Sequence, residues 1–174
     1  MKFCDVLKNC LNCQENESVK TKQIMKAVFF LYFLLLLKVI VFKYPLTQLA
    51  DITNSWEKGV ILEGLDSANF TLFKTIKMYI RYWDRLNSFE NLFGNVLCFI
   101  PFGFMLPFFH KESRFGWVLL INAFLLVCGI EVFQLVTAFG AFDVDDILLN
   151  CFGAMLGHLI FLTCSRFFSR QIVY

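Results

Sequence analysis

Apolar positions fall into four long blocks, at about Ile24–Phe42, Leu92–Phe109, Phe115–Val136 and Ile147–Phe168, with polar stretches between them. Some twenty apolar residues, at 1.5 Å rise each, cross about 30 Å of hydrocarbon. The pattern therefore predicts four membrane-spanning helices. Tyr44-Pro45 ends the first, and Lys38, one turn inside it, can snorkel to the surface. Pro101 lies inside the second and predicts a kink at Phe99–Gly103 that makes room for a cavity. The fourth carries Gly153-x-x-x-Gly157, a small-xxx-small spacing that lets two helix backbones approach.

Between the first two spans, residues 43–91 form a long mixed loop. Within it Leu72, Phe73, Ile76, Tyr79, Ile80, Trp83 and Leu86 recur at helical spacing, with Lys74, Lys77, Arg81, Asp84 and Arg85 on the other positions. A stripe that is aromatic on one side and basic on the other predicts an amphipathic helix lying in the membrane interface. The fold class is then an all-α membrane protein, with a polar tail at 1–23, a membrane domain at 24–168 and a short C-terminal segment at 169–174.

Composition supports that solvent. Hydrophobic residues make up 58% of the chain and charged residues 17%, against roughly 45–50% and 25% in ordinary globular domains. A net charge of +2 is too small to suggest a nucleic-acid partner. Cys4, Cys10 and Cys13 sit in the tail, the other four cysteines sit in apolar segments, and none sits in the long loop. That placement argues against a disulfide framework. The tail offers three thiols to a metal but no His as a fourth ligand.

Orientation follows from Lys and Arg in the short connections. The tail and residues 110–115 are basic, as is the C-terminus with Arg166 and Arg170, whereas residues 137–146 hold three Asp and neither Lys nor Arg. Both termini are expected in the cytoplasm and the 137–146 turn outside. This arrangement gathers polar groups at one level. Asn95 lies one turn below the outer surface, and Glu131 and Gln134 share a face at the end of span three. Asp143, Asp145 and Asp146 open span four, with Asn150 one turn further in. Asp143 or Asp145 alone reads as a helix cap, and Asn95 or Asn150 alone as interhelical hydrogen bonding. Glu131 is harder to assign to structure alone. A charge inside a span costs roughly 2.5–3.5 kcal/mol, so it needs a partner, protonation or a wet site, and Lys74, Arg81 or Arg85 could fold down to it. His158, mid-span and alone, reads as a packing residue.

The runs Asn69–Ile76 and Asn91–Pro107, then Glu131-x-x-Gln134 and Phe142–Asn150 with Gly153 and Gly157, together resemble the VanZ-like family of small bacterial membrane proteins. The resemblance covers about residues 69–160. It departs at Leu72, where the family often has Pro, and at Gly140-Ala141, where it often has Arg. Any local cation for the acidic turn must then come from Arg81 or Arg85. The resemblance implies a multi-pass protein of the bacterial cell membrane, and the family's founding member is associated with resistance to the glycopeptide teicoplanin.

The leading expectation is a non-catalytic protein binding a lipid headgroup, a lipid-linked wall precursor or a glycopeptide at the outer polar site. Asn95, Glu131, Gln134, Asp143, Asp145, Asp146 and Asn150 would line it, with Lys74, Lys77, Arg81 and Arg85 attracting phosphate. No cofactor is expected on this reading. A second reading is a metal-dependent enzyme acting on a lipid phosphate. Asp143, Asp145 and Asp146 would then hold a divalent cation, and Glu131, Asp145 and Asp146 would carry the chemistry. A third is a lipid or ion transporter with Glu131 as its proton-linked carboxylate, which would need a homodimer to enclose a path.

Overall fold

The computed structural model describes residues 19–40, 46–54, 56, 60–83 and 88–170. The helices are α1 (Val19–Ile40), α2 (Leu46–Asn54), α3 (Val60–Ser67), α4 (Lys74–Arg81), α5 (Ser88–Phe109), α6 (Gly116–Thr137) and α7 (Val144–Arg170). A 3-10 turn at Lys111–Arg114 joins α5 to α6. Among the described residues, three segments are long and apolar enough to cross a membrane: Asn91–Phe109, Gly116–Thr137 and Val144–Phe167. The first expected span corresponds to α1, and its last two residues, 41 and 42, lie outside the described residues.

The core is a stripe along each long helix, and the rest of each helix is apolar but uncovered. On α6 the stripe is Leu119, Ala123, Val127 and Ile130, at helical spacing. Ile121, Phe124, Leu125, Val132 and Phe133 of the same helix are exposed. Facing the stripe are Phe99 and Phe102 of α5, and Ile147, Cys151 and Ala154 of α7. A water-soluble fold rarely leaves apolar patches of that extent uncovered. Lipid chains are the solvent that fits these surfaces, and the molecule is a membrane protein.

The tightest contact joins α5 and α7, which run in the same direction. A Cβ on Gly153 would strike the carbonyl of Val96, and one on Gly157 the carbonyl of Ile100. The spacing of four brings the backbones together because both residues lack a side chain there. Gly103 does the same from the other helix, against the carbonyl of Ala154. The helix α5 carries Pro101 and Pro107 without interruption. On the far side of α5, α1 packs antiparallel. Its Tyr32 hydroxyl donates to the Cys98 carbonyl at 2.8 Å, and its Phe29 ring lies 5.1 Å from Phe109.

Among the described residues the long loop holds three helices rather than the single one expected. Trp56 ties this loop to the end of α6: its indole donates to the Thr137 carbonyl at 3.1 Å and stacks on Phe139 at 6.0 Å. Gly64 of α3 leaves space for α6, since a Cβ there would sit 2.9 Å from the Leu135 carbonyl oxygen.

His158 is buried, bonded through Nε2 to the Arg114 carbonyl at 3.1 Å and stacked on Phe161. It anchors α7 to the 3-10 turn, at the end of the helices opposite the acidic turn, as a packing residue.

A candidate binding site at the acidic hairpin

The turn between α6 and α7 positions the site. Ala138 takes φ 55°, the left-handed conformation that ends α6. Gly140 follows, where a Cβ would lie 3.0 Å from Cδ of Gln134. A larger residue there would press on the buried Gln134 amide. Asp143 then caps α7 by accepting the Asp145 backbone N–H on its own carboxylate, at 2.8 Å. This cap starts α7 at Val144, three residues earlier than hydrophobicity alone places it.

Asp145 caps a different helix. Its carboxylate accepts the backbone N–H of Phe73 at 2.6 Å, of Thr75 at 2.8 Å and of Ile76 at 3.1 Å. These belong to the first turn of α4, where N–H groups have no partner within the helix. No side chain at its own N-cap serves α4, and Phe73 holds a left-handed backbone at φ 63°. The anion placed against that N-terminus also meets the positive end of the helix dipole.

Around this clasp the chain pairs as two short extended stretches. Asn69 donates its backbone N–H to the Phe142 carbonyl at 2.8 Å and accepts that of Val144 at 3.1 Å. Its side-chain amide donates to Asp143 at 2.9 Å and to the Thr75 hydroxyl at 3.0 Å. The Thr75 hydroxyl in turn donates to Asp143 at 2.5 Å. Asp143 therefore gathers three donors, and with Asp145 it pins the loop onto the hairpin.

Deeper groups come from three helices. Glu131 of α6 accepts the Asp143 backbone N–H at 3.0 Å. Asn95 of α5 donates to Asp146 of α7 at 2.5 Å. Asn150 lies one turn inward from Asp146 on the buried face of α7. Glu131, Gln134, Asp145 and Asn150 are each 0–1% exposed. Both polar atoms of the Asn150 side chain lie buried with no hydrogen-bond partner.

The structure thus brings Asn95, Glu131, Asp143, Asp145, Asp146 and Asn150 to the hairpin and buries Gln134 against its turn. It separates the cations from them. Thr75, Ile76 and Tyr79 face inward from α4, while Lys74, Lys77 and Arg81 are exposed on its opposite face. Arg85 lies outside the described residues. Among those described, no three His, Cys, Asp or Glu side chains are grouped to hold a metal ion. The Asp145 oxygens are instead turned to backbone N–H groups.

Asn69, Thr75 and Tyr79 join the site without standing out in composition or spacing. An Asn six positions before a Thr at the head of an amphipathic stripe was the available signal. The Tyr79 phenol is half-buried beside the acids. Desolvation, then the charges of Asp146 and Asp143, push its pKa above the usual 10. The folded protein therefore holds this proton more tightly than the unfolded chain. The stability it contributes is complete below pH 10 and is lost as pH rises from there through the folded value. Tyr79→Phe should remove one tyrosine from the late-titrating part of the phenolate absorbance on alkaline titration.

No solved structure matches this chain. Over 72 residues it is 39% identical to Protein VanZ of Enterococcus faecium, an overlap covering 40% of this chain and 43% of that protein. The chain thus aligns with less than half the length of that relative. The VanZ/LLP1 family model matches residues 29–167, from the middle of α1 to the last turns of α7 and across the whole hairpin and clasp. On that match the chain belongs to the VanZ/LLP1 family.

Proposed function

We propose that this membrane protein spans the bilayer four times with both termini in the cytoplasm. At its outer face the acidic hairpin binds a lipid headgroup, a lipid-linked wall precursor or a glycopeptide, and this binding lowers sensitivity to teicoplanin. Family membership supports the resistance role, and the Lys- and Arg-free acidic turn supports the orientation. The exposed Leu72, Phe73, Ile80 and Trp83 support an interfacial position for α4.

One observation carries the binding reading: the unpartnered carboxamide of Asn150. Buried donors and acceptors are nearly always paired, and each left open costs about 1–3 kcal/mol. An amide presents a donor and an acceptor side by side. Its complement is a group that both accepts and donates, such as a hydroxyl of a headgroup or an amide of a wall precursor or glycopeptide. On this reading Asn95, Glu131, Gln134 and Asp146 would line the ligand's approach, beside the α4 that Asp145 caps.

The test is resistance in cells carrying Glu131→Gln or Asp146→Asn, alongside a membrane-insertion assay. Both variants should insert normally and lose the resistance that the unaltered chain confers. Full resistance in both would overturn the shared site.

A further inference from the structure

At the other end of the helices, α1 and the end of α5 enclose a groove of about 430 Å³ lined by Lys26, Phe29, Phe30, Phe33 and Phe109. Four of the five are phenyl rings and the fifth is a cation. Phe29 sets the depth, with its ring 6.4 Å from Phe102 and 5.1 Å from Phe109. Lys26 lies three residues nearer the start of α1, about 4.5 Å along the helix axis. That places it level with the polar turn beginning at His110. Phe33 lies roughly 6 Å in the opposite direction. With α1 as the first span, as proposed above, the groove begins at an ammonium on the polar boundary and runs about 10 Å into hydrocarbon. Lys26 and Phe30 are both exposed among the described residues.

A cation above an apolar trough matches an amphiphile with an anionic head. We propose that this groove holds one anionic phospholipid, its phosphate on the Lys26 ammonium and the first part of an acyl chain along Phe29, Phe30, Phe33 and Phe109. The phosphate meets Lys26 as a point charge, within reach of a side chain whose stem lies along apolar surface. A zwitterionic lipid gains less, because its own ammonium competes for the same phosphate. This site is independent of the acidic hairpin and uses none of its residues.

The experiment takes full-length protein from vesicles of equal phosphatidylglycerol and phosphatidylcholine and reads the retained lipid by native mass spectrometry. One phosphatidylglycerol should be held in preference. Lys26→Gln should lower that preference roughly fivefold, the effect of one cation near an anionic surface, and Lys26→Arg should keep it. Lys111→Gln removes the same charge from the neighbouring turn, outside the groove, and should leave the preference intact. An unchanged ratio in Lys26→Gln overturns the site. So does an equal fall in Lys111→Gln, which would mean general attraction to a basic surface.

Discussion

Replacing Asp145 with alanine is expected to release α4 from the hairpin while the spanning helices stay packed. The carboxylate is fully buried and accepts three backbone N–H groups of one helix start. Hydrogen bonds to a charged group contribute about 1.5–3 kcal/mol each. The loss should be roughly 3 kcal/mol or more, because three donors would be left without an acceptor at once. A helix of eight residues cannot hold itself together in water. Phe73 would also leave its left-handed conformation, which costs on the order of 1–3 kcal/mol for a bulky residue and persists only while its surroundings enforce it. Hydrogen exchange provides the measurement. The amides of residues 73–81 should approach free-peptide rates in Asp145→Ala, while those of α6 and α7 remain protected. Asp145→Asn, which keeps one acceptor and the shape, should fall between. Unchanged protection at Phe73, Thr75 and Ile76 would mean that packing, not the carboxylate, holds α4 in place.

That clasp marks the boundary of what the chain declares in one dimension. The three later spans are legible because length and apolarity are local properties. The Gly153 and Gly157 spacing declares a close contact for the same reason, though not that α5 is the partner. Asp143 was readable as a cap from its place before an apolar run. Asp145 was not, because the helix it caps begins some seventy residues earlier in the chain. No propensity links positions at that separation; the Asn69 and Asp143 pairing creates the link. Likewise α2 and α3 are eight or nine residues long. The helix α3 packs at the end of α6, with Gly64 against the Leu135 carbonyl, which its own sequence does not announce. Helix register decides where the charges of α4 go. Lys74 and Arg81 sit near acids in the sequence logic, yet the register that turns Thr75 and Tyr79 inward turns these cations out.

The same distinction between structural and functional polar groups predicts an unusual outcome for Asn150→Leu. Where a polar side chain holds a fold together, its removal destabilises. Asn150 forms no such bond in this structure, and leucine is close to it in size. Taking away two buried, unpaired polar atoms should therefore leave stability unchanged or raise it, by up to a few kcal/mol. The detergent-solubilised protein should unfold at the same temperature or a higher one, and resistance should disappear. A residue that lowers stability while it serves a site is the signature of function held at the expense of packing. Asn95→Leu supplies the contrast, since it strips a bonded partner from Asp146 and should destabilise by about 1–3 kcal/mol. If Asn150→Leu keeps full resistance, the amide does not meet the ligand. If it unfolds as readily as Asn95→Leu, a resident water satisfies the amide, and Asn150 belongs to the scaffold rather than to the site.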